Sequence, residues 1–125
     1  MPGIKKLIIA SRNSAKVDYY RHLFTGIVGN IIGLCDTKIV GKPVEVGETA
    51  ENNAEIKARF YSAQTDFPVF CEDEALYVDF LPNNRQPGTH VRRINGKDEV
   101  TDGELLAYWE GLIRTVPENK RTGRW

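Results

Sequence analysis

Three adjacent carboxylates, Glu72, Asp73 and Glu74, follow directly on the apolar run at residues 68–71. Neighbouring carboxylates repel one another unless a cation compensates them. Mg²⁺ takes one or two carboxylates together with water and substrate phosphate oxygens, and Glu45 could supply a further ligand. A carboxylate beside a metal can also deprotonate an attacking water. The competing reading is a solvated acidic turn between two strands, the ordinary fate of a charge run.

Two other segments offer groups for an anion. Ser11-Arg12-Asn13-Ser14-Ala15-Lys16 lies between an apolar run and a helical pattern. That order aims orphan backbone N–H groups and Lys16 at one point, where the helix dipole also favours negative charge. Small residues at 11, 14 and 15 let the backbone come close. The glycines and Lys-Ser/Thr pair of a Walker A loop are missing, and an ordinary strand-to-helix turn is the alternative. Farther on, Asn53 and Lys57 stand four residues apart, on one face of a helix. They read either as a surface pair or as anion contacts.

The elements that must position these groups alternate between strand and helix. Residues 7–10 form a continuous apolar run, the pattern of a strand covered on both faces. Ser14 reads as the cap of a first helix carrying Val17, Tyr20, Phe24 and Ile27, ended by Gly26 and Gly29. Short strands are expected at 31–35 and 44–46. Thr49 or its predecessor caps a second helix to about Gln64, apolar on two sides, with Glu48 and Glu51 suiting its positive end. Strands at 69–71 and 76–80 flank the acidic triplet. Residues 94–97 carry a turn signal. Thr101 or Asp102 caps a third helix with Leu105, Leu106, Trp109, Leu112, Ile113 and Val116 on one stripe, ended by Pro117. The pattern predicts an α/β fold, a mixed twisted sheet flanked by helices.

The chain has 125 residues, and Lys+Arg and Asp+Glu each total 17. That length predicts a single domain over residues 1–125. Zero net charge leaves no basic footprint for nucleic acid. Cys35 and Cys71 have no metal-ligand spacing and imply no disulfide framework. No apolar stretch approaches the roughly 20 residues of a membrane span, and the opening residues lack a signal-peptide core. The expectation is a cytoplasmic protein with no nucleic-acid and no membrane partner.

Taken in register, these segments resemble the inosine/xanthosine triphosphate pyrophosphatase family, the Ham1-like nucleotide hydrolases. Residues 11–17 resemble its Thr-Gly-Asn-x-x-Lys loop. Residues 45–59 match Glu-x-Gly-x-Thr-Phe-x-Glu-Asn-Ala-x-x-Lys-Ala without a gap. Residues 72–79 stand where the family has Asp-Asp-Ser-Gly-Leu-x-Val-Asp. Glu72 takes the place of an Asp, Glu74 of a Ser, Ala75 of a Gly, Asn52 of a Glu and Ala50 of a Phe. The resemblance covers about the first two-thirds of a family member. The later Phe-Gly-Tyr-Asp and Ser-His-Arg segments have no counterpart, and residues 121–125 read as the beginning of a strand.

The resemblance implies a Ham1-like architecture and a Mg²⁺-dependent activity. A non-standard purine nucleoside triphosphate (ITP, dITP or XTP) would be split to monophosphate and pyrophosphate. Ser11, Asn13, Lys16, Asn53 and Lys57 would contact the triphosphate. Glu45, Glu72 and Asp73 would serve the metal, with Asp73 also the general base. Two further readings stay open. One is an impaired remnant that keeps the fold and at most binds nucleotide or metal; the other is a Maf-like nucleotide pyrophosphatase, whose loop pattern fits less well. A sheet edge left unpaired predicts a homodimer.

Overall fold

The computed structural model describes residues 3–94, 96–97 and 100–125. The chain divides into two compact units, Met1–Asp73 and Glu74–Trp125.

The first unit is built on a three-stranded parallel sheet in the order β2-β1-β3, formed by β1 (Ile4–Ile9), β2 (Val28–Gly33) and β3 (Val69–Phe70). The central strand explains why its sequence is apolar on successive residues: Leu7, Ile8 and Ile9 are all buried. Because side chains alternate along a strand, Leu7 and Ile9 enter one core cluster and Ile8 the other. The first cluster adds Val17, Tyr20, Phe24 and Phe70, so α1 (Ser14–Leu23) covers that face. The second adds Tyr61, Phe60, Leu34, Ile39 and Cys71, so α2 (Ala50–Ser62) covers the opposite one. Both stripes expected on α2 are at least partly buried, except Ala63, which is exposed.

Several expectations shift. Asn13, not Ser14, caps α1: its Oδ1 accepts from the Ala15 N–H at 3.0 Å, and Ser14 is already helical. Thr49 caps α2 as expected, accepting from the Asn52 N–H. The second strand starts earlier than residues 31–35 and gives way to a 3₁₀ turn, Leu34–Asp36. Residues 44–46 form no strand. Val44 and Val46 are about three-quarters exposed, and β-propensity without a neighbouring strand or a core to pack against decides nothing.

The second unit pairs β4 (Tyr77–Val78) antiparallel with β5 (Gly123–Arg124), so the C-terminal residues do enter a strand. The Gln86 amide caps the free side of β4, accepting the Val78 N–H at 2.8 Å and donating to the Val78 carbonyl at 2.6 Å. The expected turn is present: the Lys97 N–H donates to the Ile94 carbonyl and Gly96 takes φ of 76°. Asn95 itself lies outside the described residues. Helix α3 (Asp102–Arg114) starts with a full capping box between Thr101 and Glu104. Its apolar stripe is only half-buried, and Leu106 is exposed. No helix among the described residues is long and apolar enough to cross a membrane.

Candidate functional site

The parallel sheet dictates where chemistry can collect. The chain leaves β1 for β2 on one side and reaches β3 on the other, so strand order reverses at β1. The crevice outside the carboxyl ends of strands at such a reversal is the usual ligand site of open α/β sheets. Residues 11–16 follow β1 and residues 72–73 follow β3, and the Ala10 N–H to Phe70 carbonyl bond (2.9 Å) holds these two exits side by side.

Beyond β3 the alternation of side chains continues, and it splits the acidic residues. Glu72 turns toward α1, where Lys16 Nζ donates to its Oε1 at 2.5 Å. Asp73 turns toward α2, with its Oδ1 3.4 Å from Lys57 Nζ. The same ammonium lies 3.5 Å from Glu45 Oε1 and donates to the Glu72 carbonyl oxygen at 2.9 Å. Two lysines from helices on opposite faces of the sheet thus converge on one short segment. The side chains of Lys57, Glu45 and Asp73 are only 16%, 22% and 14% exposed, so water screens their attraction less than on an open surface. Glu74 is exposed and begins the second unit.

Glu45 reaches this cluster from an irregular loop, residues 37–49, fixed at three points. Arg12 donates to the Gly41 carbonyl at 2.9 Å. The Gln64 side chain bonds both backbone groups of Val40. The Gly47 N–H donates to Asn53 Oδ1 at 2.8 Å. Asn53 is completely buried. Its place is therefore under the loop, one turn before Lys57 on the inner face of α2. Helical spacing left that pair open between a surface pair and anion contacts; in the fold Asn53 braces the loop while Lys57, itself largely covered, faces the carboxylates.

Ser11 and Asn13 are also occupied locally. Ser11 Oγ accepts the Asn13 N–H at 3.0 Å, and Asn13 Oδ1 caps α1. Of the groups expected around the polyphosphate and metal, the structure links Lys16 to Glu72 and Lys57 to Glu45, Asp73 and the Glu72 carbonyl. It gives Ser11, Asn13 and Asn53 the task of shaping loops. The sequence placed Gly47 in the Glu-x-Gly motif but assigned it no task; its lack of a side chain is essential, since a Cβ would meet Asn53 Oδ1 at 2.6 Å. The glycine's place in that motif was the available signal.

For a metal, the donors are all carboxylate oxygens, the hard kind Mg²⁺ prefers. Among the described residues no group of three or more His, Cys, Asp or Glu is arranged as a ligand set. Glu45 and Asp73 form a pair, which fits an ion that keeps its remaining positions for phosphate oxygens and water. It does not fit a closed protein cage. Cys71 is no ligand candidate: burial, partly offset by Lys57 and reinforced by Glu72, pushes its thiol up from 9.0 to about 11.

An α/β protein with an acidic pair and two lysines at the sheet's reversal point is what the coordinates define. Residues 7–124 match the model of the Ham1 family, and the chain belongs to that family. It is 39% identical over 97% of its length to the dITP/XTP pyrophosphatase of Symbiobacterium thermophilum, covering 58% of that protein. The dITP/XTP pyrophosphatase of Thermoanaerobacter sp. is 36% identical over 93% of the chain, which covers 57% of it. Among solved structures, a HAM1 protein from Coxiella burnetii matches with TM-score 0.69 at 28% identity, over 91% of this chain and 56% of that one. The crystal structure of a nucleoside-triphosphatase, dITP/XTP pyrophosphatase from Mycobacterium abscessus matches with TM-score 0.65 at 28% identity, over 92% and 58%. The chain therefore spans under three-fifths of the length of these relatives.

Proposed function

We propose that this chain carries the polyphosphate end of a Mg²⁺-dependent pyrophosphatase acting on non-standard purine nucleoside triphosphates, ITP, dITP or XTP. The observation that carries this reading is the convergence of Lys16 and Lys57 on Glu45, Glu72 and Asp73 at the carboxyl ends of β1 and β3. The substrate class rests on the names of the relatives.

In this reading Lys16 and Lys57 bind the triphosphate, joined by the N–H groups at the start of α1, with Ser11 and Asn13 shaping that loop. Mg²⁺, held by Glu45 and Asp73 with Glu72 close by, would neutralise charge developing on the phosphate oxygens. Asp73 takes a proton from the water that attacks the α-phosphorus. The bond from that phosphorus to the bridging oxygen breaks, and the electron pair leaves with pyrophosphate. Lys16 and Lys57 hold the departing charge. Asn53, by bracing the loop at Gly47, positions Glu45.

The test is incubation of the chain with ITP or XTP and Mg²⁺, followed by separate assays for pyrophosphate and orthophosphate. Pyrophosphate release that is lost in Asp73→Asn supports the reading. Orthophosphate as first product overturns it. Binding without turnover would instead favour the nucleotide-binding remnant. We propose further that two copies associate, since α3 leaves Leu106 71% exposed and Trp125 is 75% exposed. A monodisperse monomer in light scattering would refute the dimer. A cytoplasmic place and the lack of a nucleic-acid partner complete the proposal, the latter resting on zero net charge.

A further inference from the structure

Lys57 already has a full set of partners. An ammonium has three donors, and three acceptors surround this one: the Glu72 carbonyl at 2.9 Å, Asp73 Oδ1 at 3.4 Å and Glu45 Oε1 at 3.5 Å. To grip a phosphate it must release at least one. The two carboxylates it spans are the same two that would hold the metal, so ammonium and metal compete for their charge. Placing both cations there would add like-charge repulsion to a cluster with little exposure.

We infer that Lys57 is the internal stand-in for the divalent ion, holding Glu45 and Asp73 together until polyphosphate draws it away and the ion takes its place. The inference rests on the polyphosphate reading above. It follows that the metal alone is a poor competitor. Mg²⁺ gives up its water reluctantly and wants several further oxygen ligands, whereas the lysine is tethered and needs no entry from solution. Polyphosphate changes both sides of the exchange. It offers the lysine a new anion, and it brings the oxygens the metal lacks. Metal and polyphosphate then bind with positive coupling, each tightening the other by the same factor. Lys16 makes the parallel exchange on the other face, leaving Glu72 for phosphate.

The test uses Mn²⁺ as a paramagnetic substitute, with the free ion counted by electron spin resonance and no nucleotide present. The wild-type chain should bind Mn²⁺ weakly, and Lys57→Met at least tenfold more tightly. Lys5→Met removes a lysine at the far, amino-terminal end of β1 and should behave as wild type. Calorimetric titration with inorganic tripolyphosphate should give at least tenfold tighter binding with Mn²⁺ than with a chelator. Unchanged Mn²⁺ affinity in a folded Lys57→Met overturns the inference, as does an equal gain in Lys5→Met. If Lys57→Met fails to fold, Lys57→Gln decides; it keeps a donor for the Glu72 carbonyl while removing the charge. If neither folds, recovery of the fold on adding Mn²⁺ supports the exchange and its failure refutes it. The two readings fail differently. Tripolyphosphate that binds with Mn²⁺ while lysine removal has no effect defeats only the stand-in. No tripolyphosphate binding at all, with Asp73→Asn indifferent to metal, defeats the polyphosphate site itself.

Discussion

Asn53 Oδ1 accepts the backbone N–H of Gly47 at 2.8 Å, and through that one bond the floor of α2 holds the loop that delivers Glu45. Asn53 is fully buried, and its Nδ2 meets no acceptor among the described residues. Such a group is retained at a cost, because an unsatisfied buried donor is unfavourable. Replacing Asn53 by Ala strands the Gly47 N–H and opens a void. The expected loss is about 2 kcal/mol, read as a lower denaturation midpoint. Gly47→Ala should lose a similar amount, since its Cβ would lie 2.7 Å from the Asn52 Cβ and 2.9 Å from the Asn53 backbone nitrogen. An unchanged midpoint for Gly47→Ala would mean that the loop can shift without cost and that Glu45 is not fixed by it.

Lys16 and Glu72 should behave in the opposite manner, mattering little to stability and much to ligand. Their side chains are 36% and 22% exposed. An ion pair with this much water around it contributes at most about 1 kcal/mol. Lys16→Met is therefore expected to shift the midpoint slightly while weakening tripolyphosphate binding about tenfold or more, the scale of one charge-assisted hydrogen bond. A large stability loss with unchanged tripolyphosphate affinity would make Lys16 a structural residue.

The two thiols should part company on alkylation. Cys35 is exposed, whereas burial pushes Cys71 up to about 11, and only the thiolate reacts. Near neutral pH, iodoacetamide should label Cys35 first and Cys71 only after unfolding, resolved by peptide mass spectrometry. The pH dependence has a definite sign. The folded thiol has the raised pKa, so the unfolded chain loses its proton first. Stability from this site is intact below 9.0 and declines as pH rises from 9.0 towards 11. Equal labelling rates for the two thiols in the native chain would contradict the burial of Cys71.

Much of the fold was legible because its periodicities are strong. The run at 7–10 announced a strand covered on both faces, and the stripes of α2 announced a helix packed on two sides. What escaped were features settled by tertiary geometry. Asn13 and Ser14 are both good caps, and only the direction of entry from β1 chose Asn13. Val44 and Val46 alternate like a strand but find no partner. The candidate site was legible as a set of residue types, and Lys16, Lys57, Glu45, Glu72 and Asp73 do converge. Their pairing was not, because the turn of Glu72 to one face and Asp73 to the other depends on how β3 is seated beside β1. The burial of Asn53 was equally hidden, since no local pattern marks an Asn whose partner lies six residues back.

The start of α3 offers a sharper test of local energetics in the second unit. Thr101 Oγ1 accepts the Glu104 N–H at 3.2 Å, and Glu104 Oε2 accepts the Thr101 N–H at 2.9 Å. Lys97 Nζ donates to the other oxygen of Glu104 at 2.8 Å. The hydrogen bond from Lys97, with those from Thr101, lowers the Glu104 carboxyl from 4.5 to about 2. Since the folded group is the stronger acid, its contribution is complete above 4.5 and is lost as pH falls towards 2. Thr101→Ala should cost about 1 kcal/mol, the usual value of a helix cap. Helical far-UV signal should persist below pH 4.5 in the wild type, and Lys97→Met should move its loss to higher pH by removing the first of these bonds. If acid unfolds the helix at the same pH with and without Lys97, the carboxylate is not held by that lysine. The order of events at α3 would then be set by other groups.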